Sequence, residues 1–145
     1  MQLKIQKAHQ NAVVPKYTTS GAAGFDLYGC NNLSLRPGER GLVSTGLIFD
    51  IPEGYELQIR PRSGLALKSG LTVLNSPGTI DSDYKGVVMV ILINHSYYDV
   101  TVNEGERIAQ GVIAAVTPQV VFEEVLEVTT VTDRGSNGFG STGTK

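Results

Sequence analysis

The chain has 145 residues, of which 41% are hydrophobic and 18% are charged, and its formal net charge is -2 at pH 7. This composition fits one compact domain with a buried core, and it excludes a disordered or membrane-dominated chain. It also argues against a nucleic-acid polymer as a partner, because that kind of binding usually depends on a clustered basic face, and the sequence has no Lys/Arg cluster.

The sequence shows no pattern typical of a targeting or membrane segment. Met1–Lys7 alternates polar and apolar residues, unlike a signal peptide, and the longest apolar run, Val87–Ile93, is too short to cross a bilayer. We therefore expect a soluble, cytoplasmic protein with no membrane partner. The single cysteine, Cys30, cannot form a disulfide within the chain, and we expect it to be a small buried hydrophobe.

In chain order, the hydrophobic pattern predicts one short strand after another. Tyr55–Arg60 and Asp99–Asn103 alternate strictly, as half-buried strands do, whereas Val87–Ile93 is continuously apolar and predicts a strand buried on both faces. Further strands are predicted at Leu42–Ile51, Ile108–Val116 and Val120–Val128. Gly/Pro turns separate these runs, at Pro37-Gly38, Pro52-Glu53-Gly54, Asn75-Ser76-Pro77-Gly78 and Asn103-Glu104-Gly105. With a single helical turn at Leu65–Lys68, the pattern indicates an all-β sandwich or barrel.

The segment Pro61–Ala66 joins a predicted strand to that helical turn. Its Arg, hydroxyl and Gly could together hold a phosphate group, while the plainer interpretation is a structural turn with a solvated Arg62. It lacks the Lys and the spacing of a Walker A loop, so a P-loop ATPase is disfavoured.

The segment Gly78–Gly86 lies between two strand-like stretches and contains two acids, Asp81 and Asp83. In an extended chain both side chains would lie on one face, where one acid could act as a general base while Tyr84 packs against a sugar. The alternative is a turn stabilised by local Asx hydrogen bonds. A calcium loop is rejected, because the later ligands and the closing Glu are missing.

The C-terminal segment 134–145 contains four glycines and one large apolar residue, Phe139, so it cannot form a core of its own. It is either a frayed tail or an arm whose glycine amides and hydroxyls order over a ligand. We divide the chain accordingly into a β domain at 1–133 and a flexible arm at 134–145. The sequence contains no zinc-ligand pattern and no nucleophile elbow. The residues alone thus indicate an all-β domain with a candidate anion site.

Taken in order, five segments resemble the motifs of the trimeric dUTPase family, and the match spans nearly the whole chain. They are Ala23–Leu27, Pro61–Ala66, Gly78–Gly86, Gly105–Gln110 and the arm from Arg134 to Gly143. The resemblance implies a jelly-roll domain that hydrolyses dUTP to dUMP and pyrophosphate. It also implies a homotrimer with active sites at subunit boundaries, where one subunit supplies the uracil hairpin, a second the phosphate-binding turn and the third the arm.

The same resemblance implies a role for each matched position. Asp81 corresponds to the catalytic aspartate that holds the attacking water, and Tyr84 to the tyrosine under the deoxyribose. Met89 is expected to line the uracil pocket, and Asp26 to organise Mg²⁺ indirectly, with the metal held mainly by the phosphates. Uracil recognition falls to Asn75, Gly78, Thr79 and Ile80. Phosphate binding falls to Arg62, Ser63, Gly64 and Gln110, and in the arm to Arg134, Gly140, Ser141 and Thr142, with Phe139 stacking over uracil.

Pro77 in the hairpin and Thr79, where the family often has a larger apolar residue, depart from the pattern without removing a chemical group. Three alternatives stay open. A dCTP deaminase shares the fold, but the tyrosine of the third motif and the Phe139 arm favour a dUTPase. A non-catalytic dUTP-binding regulator is argued against by the intact Asp81 and Tyr84. A plain jelly-roll structural or lectin-like domain would leave the five ordered motifs unexplained.

Overall fold

The computed structural model describes residues 1–117 and 119–138. Over these residues the chain forms eleven strands and one short helix, and all the strand pairs are antiparallel. The strands are β1 Lys4–Lys7, β2 Phe25–Tyr28, β3 Leu33–Leu35, β4 Arg40–Ser44, β5 Leu47–Asp50, β6 Tyr55–Arg60, β7 Leu71–Val73, β8 Gly78–Ile80, β9 Met89–Asn94, β10 Val100–Val102 and β11 Arg107–Ala115; the helix is α1 Ser63–Ser69. The all-β class is confirmed.

Two sheets build most of the domain. One has the order β2-β11-β6-β8 and the other the order β4-β9-β7, while β1-β5 and β10-β3 form two-stranded sheets. The inward side chains of both larger sheets, such as Leu27, Leu57, Val43 and Leu92, belong to one buried hydrophobic cluster. Burial of this shared face is what holds the sheets together.

The run Leu42–Ile51 was predicted as one strand and forms two, β4 and β5. The break falls at Thr45 and Gly46, where glycine adopts a left-handed φ of 65° that other residues avoid. The fully buried Thr45 hydroxyl donates a 2.8 Å hydrogen bond to the carbonyl of Val88, so the bend leaves no unpaired polar group.

The prediction that Val87–Ile93 is buried on both faces is wrong. Strand β9 buries Val90, Leu92 and Asn94, while the alternate residues face outward and Met89 is 41% exposed. On the outward face, Leu42 of β4 lies opposite Ile91, and a backbone hydrogen bond from Leu74 to Ile91 continues the apolar row. The second apolar face of β9 is therefore only partly buried in a single chain.

The strand predicted at Val120–Val128 is also absent from the single chain. The last strand ends at Ala115, and the following apolar side chains are exposed, Val121 to 95% and Phe122 to 91%. A β-prone segment needs a partner strand to pair with, and none of the described edges pairs with it. No helix within the described residues is long and apolar enough to span a membrane.

Cys30 is buried, as expected, and its Sγ donates to the carbonyl of Thr45 at 3.1 Å. Burial raises the pKa of the Cys30 thiol. We expect iodoacetamide at neutral pH to label the native protein at least about tenfold more slowly than the urea-unfolded chain. Mass spectrometry over a time course checks this, and equal labelling rates in the two states would contradict a buried thiol.

Candidate active site

Arg62 follows β6 and precedes α1, with an extended backbone at φ -94° and ψ 127°. Its Nε donates to Asp26 Oδ1 at 2.8 Å, and its Nη1 donates to the carbonyl of Arg107 at 3.3 Å. The Asp26 and Arg62 side chains are 22% and 27% exposed, so this ion pair is partly shielded from water. The guanidinium is thereby fixed with part of its donor edge left for an anion.

Arg107 completes this arrangement and was not among the residues predicted to form the site. Its Nη1 lies 3.3 Å from Asp26 Oδ2, so one carboxylate bridges two guanidinium groups. The pairing of β11 with β2 is shifted between Arg107 and Ala109, a local irregularity of the β-bulge kind. The Arg107 side chain and its carbonyl both reach the Asp26–Arg62 pair. The motif at 105–110 contains Arg107, but a register shift cannot be read from the motif.

Gln110 lies beside the same group of residues. It pairs with Asp26 across β2 and β11, and its Nε2 donates to the carbonyl of Pro61 at 2.9 Å. A Cβ at Gly24 would lie 2.7 Å from Gln110 Oε1, so glycine at position 24 leaves room for this amide. The structure thus brings together parts of three predicted motifs, which we call the Arg62 cluster: Asp26, Arg62, Arg107 and Gln110.

The predicted uracil hairpin connects the two main sheets. Strand β7 pairs with β9, the chain turns through Asn75 and a cis Ser76-Pro77 peptide bond, and β8 then pairs with β6. Gly78 is buried in β8 close to the Asn75 amide, whereas Thr79 is exposed. The hairpin therefore presents polar backbone groups at the β8 edge of the four-stranded sheet.

Asp81 follows β8 directly and its side chain is exposed. It lines an open groove of about 540 Å³. The groove is bordered by Tyr55, Glu56, Thr79, Asp81, Ser82, Asp83, Val116 and Gln119. Tyr84, three residues further on, is 45% exposed, and its hydroxyl donates to the carbonyl of Val87 at 3.1 Å. An exposed carboxylate and a half-exposed aromatic ring are thus presented on the same loop.

Asp81 and the Arg62 cluster lie at opposite ends of β6. Ile80 pairs with Leu57 near the start of β6, so Asp81 follows beside Glu56, whereas Arg62 follows the last residue of the strand. Six extended residues from Glu56 to Arg62 span roughly 20 Å. That backbone span is longer than one triphosphate chain, so the two groups lie well apart in a single chain.

The hydrogen bonds at the beginning of the predicted arm are local among the described residues. Arg134 Nε donates to the carbonyl of Asn137 at 3.0 Å, and Gly135 N donates to Thr132. The other predicted arm residues, Phe139, Gly140, Ser141 and Thr142, lie outside the described residues.

No cluster of three or more His, Cys, Asp or Glu side chains suited to a metal ion occurs within residues 1–117 and 119–138. Asp26 also has its charge opposed by two guanidinium groups. Asp26 is therefore not part of a protein cage for a metal ion within the described residues. A divalent cation at this site would be bound mainly by a ligand's phosphates, as Mg²⁺ commonly is.

This chain is similar in sequence and in fold to named proteins. A protein of Nautilia profundicola named deoxyuridine 5'-triphosphate nucleotidohydrolase is 55% identical over 143 residues, covering 99% of each chain. The solved dUTPase of Staphylococcus bacteriophage 80alpha with dUPNHPP superposes with a TM-score of 0.88 at 28% identity, covering 98% of each chain. A mutant dUTPase from phage phi11 of S. aureus, described with a structural Mg(II) ion, gives a TM-score of 0.80 at 25% identity, covering 90% of this chain and 100% of that one.

The family model described as dUTPase matches residues 10–143, which include all five motif segments. This chain belongs to the dUTPase family.

Proposed function

We propose that this protein hydrolyses dUTP to dUMP and pyrophosphate, which lowers dUTP and supplies dUMP for thymidylate synthesis. The observation that carries the proposal is the family match over residues 10–143, within which Asp81, Tyr84 and the Arg62 cluster hold exposed or partly exposed positions. These groups provide the acid–base, sugar-packing and anion-binding functions that the reaction requires. The proposed cytoplasmic location rests on the sequence pattern alone.

The uracil hairpin and Tyr84 select the base and the sugar. The residues proposed to surround uracil are Asn75, Gly78, Thr79, Ile80 and Met89. A backbone that accepts the N3–H of uracil and donates to its carbonyls leaves buried groups unpaired when cytosine enters, which is a costly mismatch. Tyr84 packs under the deoxyribose and leaves no room for a 2′-hydroxyl.

The turn after β6 and the arm bind the triphosphate. The proposed contacts are Arg62, Ser63, Gly64 and Gln110, with Arg134, Gly140, Ser141 and Thr142 from the arm and Phe139 over the base. In this arrangement Asp26 holds Arg62 in place and has only an indirect effect on the cation. Bound Mg²⁺ supplies charge neutralisation on the phosphate oxygens.

The chemical step is water attack at the α-phosphorus. Asp81 orients the water and accepts its proton as the new bond between oxygen and phosphorus forms. The bond between the α-phosphorus and the bridging oxygen breaks, and pyrophosphate leaves with the electron pair. Arg62 and Arg134 stabilise the charge that develops on the phosphates.

The protein is proposed to act as a homotrimer with shared sites. The separation of Asp81 and Arg62 at opposite ends of β6, roughly 20 Å along the strand, supports a site in which a second copy brings its Arg62 to the first copy's hairpin. The outward row of Leu42, Leu74 and Ile91 and the exposed side chains at 120–131 provide apolar surface for such contacts. The arm then acts on a neighbouring copy, as its lack of a core suggests.

Pyrophosphate release measured in parallel from dUTP, dTTP, dCTP and UTP tests this function. We expect rapid release from dUTP alone, and a strong loss when EDTA removes the divalent cation, because the phosphates then repel one another and the attacking water. Equal release from UTP would contradict the role of Tyr84, and ammonia release from dCTP would identify a deaminase instead. Unchanged release in EDTA would contradict the metal requirement.

A further inference from the structure

The loop between β8 and β9 carries both Asp81 and Tyr84, so its conformation determines where those two side chains point. Its start is held by the pairing of β8 with β6, and its end by a 2.9 Å backbone hydrogen bond from Val88 N to the carbonyl of Leu47 in β5. Between these two anchors the loop makes a turn in which Tyr84 N donates to the carbonyl of Asp81 at 3.2 Å.

Lys85 connects the middle of this loop to the rest of the domain. Its Nζ donates to the Ser82 carbonyl at 2.9 Å, inside the loop, and to Asp50 Oδ1 at 2.8 Å, at the end of β5. Among the described residues this is the side-chain hydrogen bond that joins residues 81–86 to another element. The hydrogen bond from Lys85 lowers the pKa of Asp50, so the carboxylate is charged at neutral pH.

The loop is tightly built around Tyr84, which precedes Lys85. A Cβ at Gly86 would lie 2.6 Å from Tyr84 Cζ, so the ring packs directly on the backbone of residue 86. The Tyr84 hydroxyl also donates to Val87, on the other side of Lys85. We therefore expect a displacement of Lys85 to move the ring of Tyr84 together with the turn that begins at Asp81.

We infer that Asp50, which lies outside the five motif segments, is a positioning residue that fixes the catalytic loop through Lys85 and so sharpens the selection of deoxyribose over ribose. The inference rests on the proposed function, because it assigns to Tyr84 the exclusion of the 2′-hydroxyl. Asp50 does not touch the nucleotide in this scheme.

Because both side chains are about half exposed, at 52% and 55%, the expected effect is small but measurable. Replacement of Asp50 by Asn should lower the ratio of kcat/KM for dUTP to kcat/KM for UTP by about two- to fivefold, in the range of exposed ion pairs. Lys85→Met should lower the ratio by a similar factor, and neither change should alter the melting temperature. Both substrates carry the same triphosphate, so the ratio cancels general effects of charge on binding.

Three measurements decide the inference. The first is the substrate ratio in the two single variants. The second is a double-variant test, in which Asp50→Asn should cause no further change of the ratio in a Lys85→Met background, because the contact between the two side chains is already lost there. The third is amide hydrogen exchange at residues 82–86. This exchange should be faster in Asp50→Asn than in the parent protein, whether or not the protein hydrolyses dUTP. Glu39→Gln is the matched control, because this exposed carboxylate also accepts a 2.8 Å hydrogen bond but lies near the far end of β9.

An unchanged substrate ratio, or unchanged loop exchange in Asp50→Asn, would overturn the positioning role of Asp50. A further fall of the ratio when Asp50→Asn is added to Lys85→Met would overturn it as well. A parent protein that fails to hydrolyse dUTP would instead refute the proposed function, and loop exchange would still decide whether Asp50 fixes the loop.

Discussion

Replacement of Asp81 by asparagine should lower kcat for dUTP hydrolysis by about 10²- to 10⁴-fold, which is the range that a general base contributes. The amide has nearly the same shape as the carboxylate but cannot accept a proton from water. Asp81 is exposed, and its backbone carbonyl, which accepts from Tyr84, is unchanged by the substitution. Folding should therefore be unaffected. Rapid-mixing measurement of pyrophosphate release gives kcat, and calorimetry with a non-hydrolysable dUTP analogue should give an affinity within severalfold of the parent protein.

Asp83→Asn provides the matched control for this prediction. Asp83 lines the same groove and lies only two residues from Asp81, so a general loss of negative charge would affect both variants alike. We expect Asp83→Asn to retain turnover within severalfold. If the Asp83 variant lost turnover and the Asp81 variant kept it, the base would be Asp83. If both variants kept near-normal turnover, neither carboxylate would be the base.

Much of the strand pattern could be predicted because each strand with one buried face alternates in sequence. Tyr55–Arg60 was predicted with its observed limits, and Asp99–Asn103 and Ile108–Val116 were correct within a residue or two at each end. The break at Gly46 was missed, because a lone glycine in an apolar run gives little sign of a left-handed bend. Arg107 was missed for a similar reason, since its position depends on a register shift in β11.

The two wrong predictions have one physical cause. Val87–Ile93 and Val120–Val128 are apolar enough to be buried, yet the structure leaves one face of the first only partly buried and all of the second exposed. An apolar segment can be buried within its own chain or against another copy of the chain, and the sequence is apolar in both cases. Hydrophobic pattern alone cannot separate burial within a chain from burial between chains.

The residues of the candidate site could be predicted from the sequence, but their arrangement could not. The composition of Pro61–Ala66 indicated an anion site, and Gly78–Gly86 indicated a pair of acids. Neither segment indicates its distance from the other, because that distance follows from the order of strands in the sheet. Only the pairing of β8 with β6 places Asp81 and Arg62 at opposite ends of one strand, and the proposal of a site shared between copies rests on this arrangement.

Deletion of residues 134–145 should lower kcat/KM for dUTP by roughly 10- to 100-fold or more, while the protein stays folded and keeps its oligomeric state. Each charge-assisted hydrogen bond lost from the terminal phosphates is large enough to cost about tenfold or more. The described part of this segment adds nothing to the core, because residues 134–138 are exposed and their hydrogen bonds are local turn contacts within 132–137. Turnover assays, light scattering and thermal melting together test the prediction.

The shorter deletion of Thr144 and Lys145 is the control, because the family match ends at residue 143. It should leave kcat/KM close to the parent value, which separates the loss of arm contacts from any effect of shortening the chain. Loss of the oligomer in the longer deletion would show that the arm holds the subunits together. Normal turnover without residues 134–145 would show that the nucleotide is held by the β domains alone, since the glycine-rich segment would then contribute no contact to the phosphates.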